Sequence, residues 1–273
     1  SLKRQKLQSS LLIKDIIMKR LHIVGCPRSG TTLMMELCAT CFESNGFCGH
    51  EMNIFEEPEG KPDIYFSKQP SDIKYIERVF KKDANLFLIY MMRDPRSVIT
   101  SMHRSREGEY FCNYRVWKSC NDASKKLEYN LRFICIRYED LVHCPDKVQL
   151  EIMERFSFLK KKCSFSEYEE FANPSKESVN AMNGLRPINN NRVKVWLKHL
   201  PRIKSELEKR PEMIIDLIEN GYEDDRKWTK MLEDVIHFDY KCRYPDKAPL
   251  FKNIETKLRK WFNSLLFISK HKL

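Results

Sequence analysis

A glycine-containing turn near the amino terminus constrains this chain more than any other feature. The segment Val24–Thr32 reads Val-Gly-Cys-Pro-Arg-Ser-Gly-Thr-Thr and lies between the apolar run Leu21–Val24 and the stretch Thr31–Phe42. We expect a strand, a tight turn and a helix in that order. Such a turn directs backbone N–H groups and the positive end of the helix dipole toward one point. The sequence therefore predicts a site for a phosphate-like anion.

Predicted strands alternate with predicted helices on either side of a long segment, Ser44–Lys68, which we expect to be a loop or lid because it is rich in Gly, Pro and acidic residues. The predicted strands are Leu21–Val24, Leu86–Met92 and Arg132–Ile136. The predicted helices are Thr31–Phe42, Pro70–Lys81, one from Asp94 to about Ser105, Tyr114–Asn130, Pro145–Phe158, and helices within Arg192–Glu219 broken at Pro201 and Pro211. This order predicts an α/β fold of three layers, a parallel sheet flanked by helices, with a helical C-terminal part. We expect a single domain over 1–273, with its core at about 20–222.

The charge of the chain lies mainly at its two ends. The 273 residues carry a formal net charge of +11, of which residues 1–20 and residues 249–273 contribute +5 each. The remaining +1 leaves the body almost neutral, which argues against nucleic acid as a partner. A hydrophobic content of 42% excludes intrinsic disorder as a class.

The turn departs from a nucleotide triphosphatase loop in its cation. Gly25 and Gly30 have the Gly-x4-Gly spacing of a P-loop, but Thr31 stands where such a loop has lysine. The cation is instead Arg28, inside the turn, and no acidic strand end stands out to organise magnesium. We therefore predict an anion site without metal. Cys38, Cys41, Cys48 and His50 are better interpreted as helix packing than as zinc ligands, since no second pair follows at a suitable spacing.

Two segments together resemble the sulfotransferases that use 3′-phosphoadenosine 5′-phosphosulfate (PAPS). Cys26–Thr32 resembles their 5′-phosphosulfate loop, which implies cofactor contacts from Arg28, Ser29, Gly30, Thr31 and Thr32. Tyr90–Ser101 resembles the element in which an Arg at a strand end and a Ser eight residues later hold the 3′-phosphate, here Arg93 and Ser101. The location of Arg93 agrees with the rule that ligands bind at the carboxyl ends of parallel strands. We expect Ser101 to lie about two turns along the following helix.

Two further segments extend the resemblance, so that it covers about residues 20–222. Ile136–Leu141 is similar to an Arg-Tyr-Glu-Asp-Leu element, which implies that Tyr138 lies near the adenine-ribose end of the cofactor; packing at a strand end is the alternative. Arg192–Trp196 resembles a segment that closes over the nucleotide, which implies a role for Lys194. The family resemblance implies a P-loop-like sulfotransferase fold, PAPS as sulfate donor and 3′-phosphoadenosine 5′-phosphate (PAP) as product.

Sulfuryl transfer to a hydroxyl needs a base and positive charge on the moving group. Cys48–Glu51 is similar to the Gly-Glu-Glu stretch of tyrosylprotein sulfotransferases, which implies Glu51 as general base. Tyr65–Pro70 resembles a Lys-x-Pro element and implies that Lys68, together with Arg28, stabilises the transferring group. His50 and His103 are rival bases. A solvated Glu51 and an exposed Lys68 without catalytic roles are the simpler alternatives.

The acceptor is less constrained than the donor. Only sixteen residues separate Glu51 from Lys68, which favours a glycan or small-molecule hydroxyl over protein tyrosine. A tyrosylprotein sulfotransferase, a P-loop kinase relative and an inactive PAP-binding scaffold at membranes remain the alternatives. No sulfotransferase signature in the sequence identifies the oligomeric state.

The basic C-terminal stretch has helical periodicity. Its apolar residues at this spacing are Phe251, Ile254, Leu258, Trp261, Leu265 and Ile268. Such a helix either contacts a membrane surface or packs on the core. We expect a cytoplasmic location, with the Golgi lumen as the alternative if the chain is a trimmed form; uncharged runs such as Leu86–Met92 are too short to span a membrane.

Overall fold

The computed structural model describes residues 18–60, 62–244, 246 and 250–271. Most of the predicted basic N-terminal segment, 1–20, therefore lies outside the described residues. So do the ends of the predicted C-terminal helix. Within the described ranges, no helix has the length and apolarity that crossing a membrane requires.

A five-stranded parallel sheet forms the centre of the molecule. The strands of the described residues are β1 (Lys19–Gly25), β2 (Gly46–Phe47), β3 (Ile64–Lys68), β4 (Leu86–Met92), β5 (Glu109–Tyr110), β6 (Phe133–Arg137) and β7 (Lys241–Cys242). The sheet order is β2-β3-β1-β4-β6, and each neighbouring pair is parallel. β5 and β7 form a separate two-stranded sheet. Because the strands of the main sheet are parallel, their carboxyl ends lie at one edge.

Helices cover both faces of this sheet. The helices of the described residues are α1 (Thr31–Cys41), α2 (Glu77–Lys82), α3 (Pro95–Ile99), α4 (Tyr114–Lys125), α5 (Tyr138–His143), α6 (Pro145–Arg155), α7 (Tyr168–Phe171), α8 (Lys176–Met182), α9 (Leu200–Lys209), α10 (Met213–Glu219) and α11 (Leu250–His271). Shorter 3₁₀ turns lie at Pro70–Lys74, Phe165–Glu167, Val195–His199 and Arg226–Leu232.

Alternation along β4 separates the two cores. Leu88 and Tyr90 pack with Trp117 of α4 in one cluster, whereas Ile89 and Met91 belong to the cluster that includes the inner face of α1. Successive side chains of a strand point to opposite faces, so each cluster lies on its own side of the sheet. The predicted fold class, a three-layer α/β arrangement with a helical C-terminal part, is confirmed.

The prediction of a loop throughout Ser44–Lys68 is wrong, because its last five residues form β3 beside β1. Ser67 and Lys68 in this strand interrupt the apolar pattern that predicts a buried strand. Ser67 is fully buried, and its hydroxyl accepts from Nε of Arg20 (2.7 Å) and bonds to Nδ1 of His22 (2.7 Å). A strand that buries partnered polar groups lacks the continuous apolar pattern of a central strand.

The helix that begins at Pro95 ends at Ile99, not near Ser105 as predicted. The chain turns back instead. The Ser101 carbonyl accepts from the amide of Phe111 (2.9 Å), and the amide of His103 donates to Glu109 (2.7 Å). These non-local bonds satisfy backbone groups that a longer helix would have used.

Two smaller helix predictions also need correction. The stretch Pro70–Lys81 divides into a 3₁₀ turn and α2. Pro201 does not break a helix: it lies in the first turn of α9, where its missing N–H costs nothing. The predicted break at Pro211 is confirmed, because α9 ends before it and α10 begins after it.

Candidate active site

The turn after β1 is a strained backbone that ends in a glycine cap. Arg28 and Gly30 both have positive φ angles, 76° and 97°. Gly30 caps α1, and a Cβ atom at this position would lie 2.5 Å from Cδ2 of Tyr138. Both the left-handed conformation and the close ring require glycine here. The turn thus presents the unpaired N–H groups at the start of α1 to the space in front of it.

That space is a cavity of about 280 Å³ lined by five arginines, Arg28, Arg93, Arg104, Arg186 and Arg192. In the part of the chain that the structure describes, none of these five forms an ion pair with a carboxylate. Burial lowers the pKa of Arg28, and the positive charges of Arg104 and Arg93 lower it further. Unneutralised cations that face one another in a concave site favour a ligand with several negative charges.

Arg93 is held at the end of β4 by its backbone and by its guanidinium. Nε1 of Trp117 donates to the Arg93 carbonyl (2.8 Å). The guanidinium donates to the carbonyls of Arg28 (3.0 Å) and Arg192 (3.2 Å), and lies 4.1 Å from the ring centroid of Tyr138. Its Nε is buried without a partner among the described residues. Arg93 therefore joins the turn to the segment near Arg192, and its Nε–H group can still donate to a ligand.

Ser101 lies beside the same turn, although it follows α3 and does not belong to it. Its hydroxyl accepts a hydrogen bond from Nε of Arg28 at 2.7 Å. Arg28 thus contacts both residues that the family resemblance assigns to the 3′-phosphate. Its guanidinium bonds to Ser101, and its own backbone carbonyl accepts from the guanidinium of Arg93. The three residues form one basic corner of the site.

Lys68, Glu51 and Thr32 meet at the end of β3. Nζ of Lys68 lies 3.1 Å from Oγ1 of Thr32 and 3.2 Å from Oε1 of Glu51. Lys68 is 1% exposed, whereas the side chain of Glu51 is 40% exposed. The amide of Met52 donates to the Lys68 carbonyl (3.0 Å), which ties the Glu51 loop to the strand. A buried ammonium next to an accessible carboxylate can orient a base and supply positive charge at the same place.

The two histidines named as rival bases have different surroundings. His50 lines the cavity beside Glu51; burial lowers its pKa, and the charge of Lys68 lowers it further. His103 does not line this cavity: its ring stacks on Phe111 at 5.4 Å, and Nδ1 faces Ser105. Of the two, His50 is the one near the predicted catalytic residues.

In the segment that resembles a nucleotide-closing element, Arg192 lines the cavity and Lys194 does not. Lys194 is exposed. The carbonyl of Val193 accepts from the hydroxyl of Ser97 (2.9 Å), which attaches the segment to α3. The predicted role of Lys194 stays a prediction, and Arg192 is the cation of this segment that the sequence reasoning did not select.

Arg104 and Arg186 were also missed. Arg104 donates to the carbonyl of Ala181 (2.6 Å), and Arg186 donates to that of Met182 (3.1 Å). The first bond brings Arg104 to the segment that contains Arg186, so this wall of the cavity is built from two distant parts of the chain. No local motif surrounds either residue, so only the folded arrangement identifies them.

The rest of the cavity wall is largely apolar and aromatic. Its members include Leu33, Phe111, Tyr138, Val142, Tyr168 and Ile188. A planar ring system can pack against such side chains while the arginines hold anionic groups.

The cysteines predicted to pack rather than to bind metal lie in the core. Cys38 and Cys41 are fully buried, and Cys48 is 6% exposed. Within the described ranges, no group of three or more His, Cys, Asp or Glu side chains is arranged to hold a metal ion. The ten cysteines are all unpaired thiols.

No protein-family model matches the chain, and no curated protein matches it. Solved structures that are similar to it include sulfotransferases. The sulfotransferase domain of the Synechococcus PCC 7002 olefin synthase is 17% identical with a TM-score of 0.44, over 66% of this chain and 88% of that one. Mouse sulfotransferase SULT7A1 complexed with PAP is 12% identical with a TM-score of 0.42, over 80% and 89%.

A third similar structure is retinol dehydratase in complex with androsterone and inactive cofactor PAP. It is 12% identical with a TM-score of 0.39, over 89% of this chain and 88% of that one. Values this low assign no function to the chain, so function has to be inferred from its own residues.

Proposed function

We propose that this protein transfers the sulfuryl group of PAPS to a hydroxyl of an acceptor, with a glycan or a small molecule as the favoured class. The observation that carries the proposal is the arginine-lined cavity in front of a glycine-capped helix, with Lys68 and Glu51 at its edge. PAPS has two anionic groups, the 5′-phosphosulfate and the 3′-phosphate, linked by a nucleoside. The cavity combines the cations and the apolar walls that such a molecule requires.

Buried donors without partners support the fit. Ser29 Oγ and Arg93 Nε have no hydrogen-bond partner among the described residues, and a buried polar group without a partner is costly. We assign the 5′-phosphosulfate to Arg28, Ser29, Gly30, Thr31 and Thr32, and the 3′-phosphate to Arg93 and Ser101. We assign the nucleoside end to Tyr138. Lys194 is assigned to closure of the site, a role that needs movement because the residue is exposed.

PAPS supplies an activated sulfuryl group whose S–O bond to the 5′-phosphate breaks in the reaction. Glu51 takes the proton of the acceptor hydroxyl while the acceptor oxygen forms its bond to sulfur. Lys68 and Arg28 stabilise the negative charge that builds on the transferring and departing oxygens. The sulfated acceptor and PAP then leave, and Glu51 returns its proton to water. We propose that no metal takes part.

The main alternative to a sulfotransferase is a relative of the P-loop kinases. Thermal unfolding with PAP, and separately with ATP and magnesium, distinguishes the two. We expect PAP to raise the melting temperature and ATP–magnesium to have little effect. The reverse result would replace sulfuryl transfer by phosphoryl transfer.

A panel of acceptors then distinguishes the remaining hypotheses about the acceptor and about catalytic activity. Radiolabelled PAPS is offered with glycans, phenols, lipid alcohols and tyrosine peptides. Transfer to glycans or small alcohols supports the favoured class, and transfer to peptides only supports a tyrosylprotein sulfotransferase. PAP binding without transfer to any member supports an inactive scaffold.

A further inference from the structure

The C-terminal helix α11 packs on the body of the protein through one face. The ring of Phe267 lies 6.2 Å from that of Phe55, and Lys260 Nζ lies 3.6 Å from Oδ1 of the buried Asp72. Lys270 also pairs with Glu57. This inner face fixes the helix to the loop that follows Glu51 and to the 3₁₀ turn after β3.

The opposite face of α11 is apolar and exposed. We call its six side chains the apolar stripe; each is between 38% and 61% exposed. They are Ile254, Leu258, Trp261, Phe262, Leu265 and Leu266. Their spacing places them on one broad arc of a helix about 33 Å long. Contiguous apolar surface of this kind marks an interaction site more often than it marks a free surface.

A cleft of about 670 Å³ adjoins the stripe, and Trp261 borders both. We call it the basic cleft, because six cations line it and only two carboxylates, Glu77 and Asp122, do so. The six cations are Lys74, Arg78, Lys81, Lys126, Lys257 and Lys260. Part of this charge is offset, since Lys81 pairs with Glu77 and Lys260 pairs with Asp72.

We propose that the apolar stripe and the basic cleft together bind an anionic lipid surface. The stripe provides aromatic and aliphatic side chains for the region between headgroups and acyl chains, and Trp261 has the amphipathic character typical of that depth. The cleft provides cations that attract the phosphates of an anionic membrane surface. This inference does not depend on sulfuryl transfer.

Charge favours a membrane over a second copy of the chain. The stripe is flanked on α11 by Lys257 and Arg259. Two copies that met through this face would bring these cations together, and within the described residues of α11 Glu255 is the one carboxylate. An anionic lipid surface instead neutralises the same charges.

Fluorescence of Trp261 provides a selective measurement on the intact protein. The other tryptophans, Trp117, Trp196 and Trp228, are between 1% and 7% exposed, whereas Trp261 is 49% exposed. Brominated lipids quench a tryptophan that enters the bilayer. We expect quenching by vesicles of phosphatidylcholine with phosphatidylserine, weak quenching by phosphatidylcholine alone, and loss of the signal in Trp261→Phe.

Matched variants test the two parts of the surface by vesicle sedimentation. Phe262→Gln should weaken binding about tenfold, whereas Phe238→Gln, at an equally exposed position elsewhere, should have no effect. Lys126→Glu, in the basic cleft, should also weaken binding to anionic vesicles. Lys147→Glu, at an exposed position outside the cleft, should not. Melting temperatures establish that each variant is folded.

Three results would overturn the proposal. The first is that the unaltered protein fails to sediment with anionic vesicles, and the second is that Phe262→Gln and Phe238→Gln bind alike. The third is a lipid-free dimer in sedimentation velocity that Phe262→Gln dissociates, because the stripe would then be covered by a second copy.

Discussion

Nζ of Lys68 lies 3.2 Å from Oε1 of Glu51, and it joins a fully buried strand end to an exposed loop. The same nitrogen lies 3.1 Å from the hydroxyl of Thr32 in the first turn of α1. The candidate base and the anion-binding turn are therefore held together by one ammonium group. If the proposed function is correct, the two members of this pair have separable effects on catalysis and on binding.

Replacement of the candidate base should affect the rate and not the affinity. Glu51→Gln keeps the shape of the side chain but cannot accept the acceptor proton, so we expect kcat to fall about 10²- to 10⁴-fold. The Kd for PAP, measured by calorimetry, should change little. Glu59→Gln in the same loop is the control. If Glu51→Gln retained full activity and His50→Gln did not, the base would be His50.

Removal of the ammonium at Lys68 should reduce transfer more than it reduces acceptor binding. In Lys68→Met a side chain of similar length remains, and we expect kcat to fall about 10²- to 10³-fold because positive charge on the transferring group is lost. Single-turnover measurements separate this step from product release. Lys160→Met, at an exposed position, should match the unaltered protein, and equal rates in both variants would exclude a catalytic role for Lys68.

Arg93 should determine selectivity for the 3′-phosphate. We expect Arg93→Ala to weaken PAP binding about 10- to 100-fold, since a charge-assisted hydrogen bond is lost. Binding of adenosine 5′-phosphate, which lacks the 3′-phosphate, should weaken much less. Calorimetry with both nucleotides measures the difference, and Arg155→Ala is the control. A uniform loss for both nucleotides would assign Arg93 to positioning of the turn.

Gly30 should tolerate no side chain. An alanine here has a φ of 97° and a Cβ 2.5 Å from Tyr138, so Gly30→Ala should cost about 1–3 kcal/mol of unfolding free energy and abolish PAP binding. Gly60→Ala separates the two causes, because its φ is +75° and nothing lies within 4 Å of the added Cβ. That control should cost about 1 kcal/mol from backbone conformation alone. Urea unfolding measures both, and equal costs would argue against contact with Tyr138.

His22 should make the fold sensitive to acid. It is fully buried between Ser67 and Asp72, and burial lowers its pKa from the ordinary 6.5 in spite of the opposing effect of Asp72. At a pH near or just below 6.5, His22 is therefore protonated in more of the unfolded chains than of the folded ones. Stability should therefore fall as the pH decreases from about 7.5 to about 5.5.

Urea midpoints across this range test the effect. His22→Gln should show a flatter dependence on pH, whereas His143→Gln, at an exposed position, should follow the unaltered protein. A parallel pH dependence in His22→Gln would assign the acid sensitivity to other groups.

The sequence predicted those parts of the fold that depend on local apolar patterns and turns. β4 has the predicted bounds, and α1 begins at Thr31 as its glycine-containing turn indicates. β3 was missed because Ser67 and Lys68 are buried through partners from elsewhere in the chain. The end of α3 was missed because backbone bonds to Glu109 and Phe111 replace its next turn.

In the candidate site, too, residues within local motifs were predicted from the sequence and residues placed by long-range contacts were not. Arg28, Arg93 and Ser101 lie in recognisable segments, and the structure brings them together at one corner. Arg104 and Arg186 have no motif around them, because loops distant in sequence bring them to the cavity. The cytoplasmic location and the single-domain organisation stay predictions.

Transfer of radiolabelled sulfate from PAPS to an acceptor tests the central claim most directly, with the unaltered protein and Glu51→Gln assayed side by side. We predict labelled product from at least one hydroxyl acceptor in the panel, in the presence of a chelator, with a large loss in the variant. Absence of product across the whole panel would contradict sulfuryl transfer, even if PAP bound. Product formation at equal rates in both proteins would contradict the role proposed for Glu51.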